Sequence, residues 1–78
     1  MKETLVPLRV TYDAEANAAY IYFVQDIESG GVAKVVPFDP SDGVMVNLDL
    51  DADGRILGLE VLAARTLLSP KLLSEIDH

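Results

Sequence analysis

The chain contains no cysteine and no tryptophan. Without cysteine there can be no disulfide, no thiolate metal site and no cysteine nucleophile. Histidine occurs once, as His78 at the final position, where chain ends usually fray. A Ser-His-Asp triad or a histidine-ligated zinc site is therefore not expected. Basic side chains are scarce, 6 against 13 acidic ones, for a formal net charge of −7. Nucleic-acid affinity rests largely on Lys and Arg neutralising phosphates. The cations here, Lys2, Arg9, Lys34, Arg55, Arg65 and Lys71, are scattered, so no nucleic-acid partner is expected. An acidic domain is drawn instead to a basic protein partner, although solubility is the plainer consequence of the charge. No apolar run approaches the length of a membrane span, and Met1-Lys2-Glu3 does not open a signal peptide. The expectation is a cytoplasmic protein without membrane contact. Gly30-Gly31 stands alone with no helix opening after it, so no phosphate-cradling loop and no cofactor are expected.

What the chain does have is apolar material. Half of its 78 residues are hydrophobic, in one small domain (residues 1–78) near the size at which a single core only just suffices. The surplus is most easily hidden between subunits, so a homo-oligomer is expected, most simply a twofold dimer.

Alternation at the strand period dominates the pattern. Leu8 to Tyr12 alternates and stops at Asp13-Ala14-Glu15-Ala16-Asn17, a compact polar turn. Ala18 to Val24, aromatic and β-branched, reads as the returning strand. Val32 to Val36 reads as a third strand stopped by Pro37, and Val44 to Leu48 and Leu57 to Val61 as a fourth and fifth. Ser69-Pro70 then opens a short helix, with Ser69 as N-cap and Pro70 at the first helical position, where its missing N–H costs nothing. The expected fold is α+β: a small antiparallel β-sheet of about five strands in hairpins and meander over residues 8–62, and a helical tail over 69–77. A four-residue loop, Asp51 to Gly54, would pair Leu48 with Leu57, Val46 with Leu59 and Val44 with Val61, all on one buried face. Val10, Ile21, Phe23 and Val35 complete the expected core.

Asp49 to Glu60 also fits the calcium-loop pattern D-x-D-x-D-G-x5-E, with Asp49, Asp51, Asp53 and Glu60 as ligand candidates. An EF-hand needs a helix on each side of its loop, and both flanks here alternate as strands. Asp-Ala-Asp-Gly is good turn chemistry without metal, because Asp51 can accept backbone N–H bonds and Gly54 can take the left-handed conformation. A β-turn is the expectation, and a calcium- or metal-responsive domain the alternative.

Two stretches carry a family resemblance. The first is Tyr12-Asp13-Ala14-Glu15-Ala16-Asn17-Ala18-Ala19-Tyr20-Ile21. The second runs from Asp42-Gly43-Val44-Met45-Val46-Asn47-Leu48-Asp49 through Asp53-Gly54-Arg55-Ile56-Leu57-Gly58-Leu59-Glu60-Val61-Leu62. Together they resemble the small prokaryotic proteins of domain of unknown function 2283. Asn17 stands where that family usually carries aspartate, and Ala19 where it often carries leucine. The resemblance implies a small antiparallel sheet with a C-terminal helical tail and implies no activity. Similar proteins are often encoded beside small toxin-like partners, so it also implies an antitoxin-like or accessory role.

Candidate chemistry is thin. Asp13, Glu15 and Asn17 crowd one turn beside Tyr12, where Asp13 and Asn17 are better used to satisfy turn N–H groups. Tyr20 and Tyr22 share a strand face and suit an interface, since tyrosine combines contact area with a polar tip. Leu67, Leu68, Leu72, Leu73 and Ile76 give the tail an apolar stripe of the same kind. Glu60, Gly58 and Asn47 read as a solvent-facing row. No catalytic residue is assigned and no enzyme is expected, because acid–base work would have to rest on carboxylates and tyrosines alone. The functional expectation is an acidic interaction module.

Overall fold

The computed structural model describes residues 1–77, so His78 lies outside the described residues. The chain runs β1 (Val10–Asp13), β2 (Ala18–Tyr22), β3 (Lys34–Phe38), β4 (Met45–Leu50), β5 (Ile56–Leu62), α1 (Ala64–Leu67) and α2 (Pro70–Ile76). The strands make one five-stranded antiparallel sheet in the order β1-β2-β5-β4-β3. The expected α+β class, strand number and C-terminal helix are all present. The order adds something that local pattern does not carry. A β1–β2 hairpin and a β3–β4–β5 meander are joined by β2 pairing with β5, and residues 23–33 carry the chain from mid-sheet to the far edge.

The first turn is closed by its own polar groups. The Asp13 carboxylate accepts from the Ala16 N–H at 3.1 Å, and the Asn17 N–H donates to the Ala14 carbonyl at 3.3 Å. In the β4–β5 turn the Asp51 carboxylate accepts from the N–H groups of Asp53 and Arg55, both at 2.9 Å, and Gly54 sits at φ +79°. These are the roles expected of Asp51 and Gly54.

The β4–β5 register differs from expectation. Leu48 lies opposite Leu59 and Val46 opposite Val61, two residues further along β5 than the four-residue loop required. The cause is an extra residue. Leu50 pairs with Ile56 and Asp49 with Gly58, which leaves Leu57 unpaired in a β-bulge. The Asp51 N–H also donates to the Arg55 carbonyl at 2.9 Å, so the loop closes one residue later. A slip of two returns every side chain to its own face, and the aliphatic pattern survives.

β3 differs as well. It runs through Pro37 instead of stopping before it, which is permitted because β3 is an edge strand with no neighbour on one side. Val35, expected in the core, lies opposite Asp49 on the other face and is 52% exposed; Val36, opposite Leu48, takes the inward position. Phe23 falls just beyond β2 and is 46% exposed, so it too is outside the core.

The core sits under the start of the tail. Ala64 is fully buried against Ala19 and Val61, with Tyr12, Leu59, Leu67 and Leu68 packed around them. α1 was not expected. It begins at Ala63 in the left-handed conformation (φ +69°), for which alanine carries no sequence signal. Ser69 caps α2 as expected, its hydroxyl accepting from the Leu72 N–H at 3.2 Å, and α2 lies against β1.

Candidate functional site

Register and alternation sort the strand residues onto two faces. The tail packs on part of one, which carries Tyr12, Ala19, Leu59, Val61, Val46, Leu48, Val36 and Phe38. The other carries Asp13, Tyr20, Tyr22, Gly58, Glu60, Asn47 and Asp49, and every strand carboxylate lies there. Tyr20 and Tyr22 share one strand face, as expected.

On this polar face the groups are matched to one another. Tyr20 crosses from β2 over β5 to β4, where its hydroxyl donates to Asp49 Oδ2 at 2.8 Å. It can do so only because Gly58 lies beneath. A Cβ on Gly58 would collide with the outer half of the Tyr20 ring. The Tyr22 ring meets Tyr20 edge-on, centroids 4.7 Å apart at 68°, a favoured aromatic arrangement. The Arg9 guanidinium lies 3.8 Å above the Tyr22 centroid and donates to the Gln25 carbonyl at 2.9 Å. One strand pair further along, Asn47 Nδ2 donates to Glu60 Oε1 at 2.8 Å. Burial, and then the hydrogen bond to the Asp49 carboxylate, push the Tyr20 hydroxyl well above the ordinary tyrosine range. Both disfavour the phenolate, so this hydroxyl is a donor and not a base at neutral pH.

A shallow depression of about 220 Å³ lies on this face, with Thr11, Asp13, Ala18, Tyr20 and Glu60 in its lining. Aromatic surface flanked by two carboxylates suits a cationic side chain.

The four carboxylates of the calcium-like segment are placed apart by role. Asp49 holds Tyr20, and Asp51 holds its own turn. Asp53 pairs with Arg55 at 3.4 Å in an exposed contact, and Glu60 takes Asn47 from mid-strand. Among the described residues no three metal-ligating side chains converge. Of the tail residues, Leu67 and Leu68 pack on the core, and Leu72, Leu73 and Ile76 are half-buried on α2.

Asn17 has a use that reading the turn alone does not reveal. Its backbone carbonyl accepts from the Ala64 N–H and its Oδ1 from the Arg65 N–H, both at 2.9 Å. It thereby supplies acceptors to the start of α1 from the opposite end of the chain. Arg65 returns the contact by donating to the Ala14 carbonyl. The available signal was Asn17 itself, a residue type that tolerates the left-handed conformation it adopts (φ +54°). The Tyr20–Asp49 bond could have been anticipated from glycine and tyrosine sharing a face, once β2 and β5 were paired.

Comparison with known proteins gives one match: the family model described as a protein of unknown function, DUF2283, fits residues 9–65. No curated protein and no solved structure matches the chain. The matched span takes in the whole sheet and ends at Arg65, so it includes both sides of the Asn17 contact but not α2.

Proposed function

This chain belongs to the DUF2283 family, whose description assigns no activity, and from that premise we propose that it works without catalysis, as an interaction module made of two copies. The observation that carries this reading is the depth of the core. Among the described residues no large side chain is fully buried, and the buried apolar residues are Ala19, Val44, Val61 and Ala64. The accessible surface is 5,878 Å², whereas a folded monomer of this mass exposes about 4,700 Å². The extended N-terminal residues contribute to that excess, and so does apolar sheet surface that association would cover.

The polar face is the side for a different partner. Its carboxylates Asp13 and Glu60 flank Tyr20, a combination that receives lysine or arginine from a basic protein. In this reading the protein is an acidic accessory, antitoxin-like in holding a basic partner. Light scattering tests the premise. A mass near twice 8.5 kDa at micromolar concentration is expected, and a chain that stays monomeric up to hundreds of micromolar overturns the two-copy reading.

A further inference from the structure

We infer that the surface joining two copies is the β3–β4 half of the helix-side face, around Val36, Phe38, Val46, Leu48, Leu50 and Ile56, packed against the same surface of a second copy. This inference rests on the two-copy reading and adds where the contact lies. The tail packs on Tyr12, Ala19, Leu59 and Val61, toward the β1 side of the sheet. Toward the β3 edge and the β4–β5 turn the same face is less covered. Phe38 remains 48% and Ile56 44% exposed, and Val36, Val46, Leu48 and Leu50 are only half-buried.

Each copy carries a net charge of −7, so two copies repel wherever acidic groups meet. Every strand carboxylate, Asp13, Asp49 and Glu60, faces the other way. The helix-side face of the strands has one charge, the cation Lys34 at its corner opposite Leu50. Two acidic chains therefore approach most easily through this face. The remaining acids near it, Asp39, Asp42, Asp51 and Asp53, sit in the turns at its two ends, where water can solvate them.

A stable interface removes about 800 Å² from each partner; the surface in excess of a compact monomer is about 1,200 Å², part of it on the extended N-terminal residues and part on the open sheet face. Joining the sheets edge to edge offers less. The β3 edge carries Lys34 and Pro37, both of which discourage strand addition, and β1 is only 4 residues long. Face-to-face packing instead gives a two-layer sandwich with sheets about 10 Å apart.

The test uses the full chain with single charge insertions at the exposed Phe38 and Val35 and at the half-buried Ile76, and circular dichroism confirms the sheet in each variant. Phe38→Asp buries a like charge in the proposed contact and is expected to raise the dimer dissociation constant by roughly a hundredfold or more. Val35→Asp, on the same strand but the opposite face, is expected to leave the dimer intact. If the wild type is a dimer that survives Phe38→Asp, or that is broken equally by Val35→Asp, this surface is wrong while the two-copy reading stands. A dimer dissolved by Ile76→Asp and not by Phe38→Asp assigns the contact to the tail and overturns the inference. A monomeric wild type overturns both.

Discussion

The two faces of this sheet are built by different means from the same five strands. On the polar face each distinctive group has a named partner: Tyr20 with Asp49, Asn47 with Glu60, Arg9 with Tyr22. Such contacts are directional, and each adds roughly 0.5–1.5 kcal/mol. On the helix-side face the contacts are aliphatic, and stability depends on how much area leaves water. One face fixes which strands are neighbours. The other supplies most of the driving force and stops halfway, because a tail of two short helices covers only one side of it. A small domain can thus be fully specified on one side and leave the other to be completed by association.

The largest effect is expected at the apolar centre of the helix-side face. Val61→Ala should lower stability by about 2–3 kcal/mol, since Val61 is 2% exposed between Ala19 and Val46. Val35→Ala on the polar face should change it by less than about 0.5 kcal/mol. Urea titration of both variants checks the contrast, and equal losses would mean that the helix-side face is not the energetic core.

Next in size is Gly58→Ala. The new methyl displaces the Tyr20 ring and breaks its bond to Asp49, at a cost of about 1–2 kcal/mol. In a Tyr20→Ala background the same change should be nearly free, a non-additivity that a double-mutant cycle measures directly. Additive losses would show that Gly58 is needed for some reason other than the tyrosine above it.

A smaller effect comes from Tyr20→Phe, about 1 kcal/mol at neutral pH. Its signature lies at high pH. The folded hydroxyl is held above the unfolded value, so the fold binds the proton more tightly than the unfolded chain does. That contribution is whole below pH 10 and is lost as pH rises beyond it. Melting temperatures across pH 8–11 should fall more steeply for the wild type than for the phenylalanine variant.

The gentlest test concerns the charge held on one face. If two acidic copies meet through the uncharged one, salt screens the remaining repulsion, and association should tighten a few-fold between about 0.05 and 0.5 M salt. Weakening with salt would point to ion pairs across the contact.

Much of the fold was legible because local rules agreed with one another. Alternation marked the strands, the Asp51 and Gly54 chemistry marked the turn, and Ser69-Pro70 marked the start of α2. The misplacements share a cause. The bulge at Leu57 and the start of β3 at Lys34 are one- or two-residue choices settled by pairing across strands, to which local pattern is blind. Val35 was assigned to the wrong face for that reason. α1 begins at a left-handed alanine, which nothing in the sequence marks. The candidate site was legible only in pieces. Tyr20 and Tyr22, or Glu60, Gly58 and Asn47, could each be placed on a common face. Their meeting depends on the β2–β5 pairing, and so did the recognition that Asp49 serves Tyr20.

That pairing also sets a timetable for the newborn chain. β2 lies between β1 and β5, so its second neighbour is the last strand made, ending at Leu62. While the ribosome adds the intervening segment, at about 5–20 residues per second, the first hairpin waits roughly 2–8 seconds with one side of β2 unpaired. An unpaired strand edge invites association with other chains. The aromatic run Tyr20-Ile21-Tyr22-Phe23 is therefore most vulnerable before the protein is finished, and a chaperone that shields nascent chains has its clearest task there.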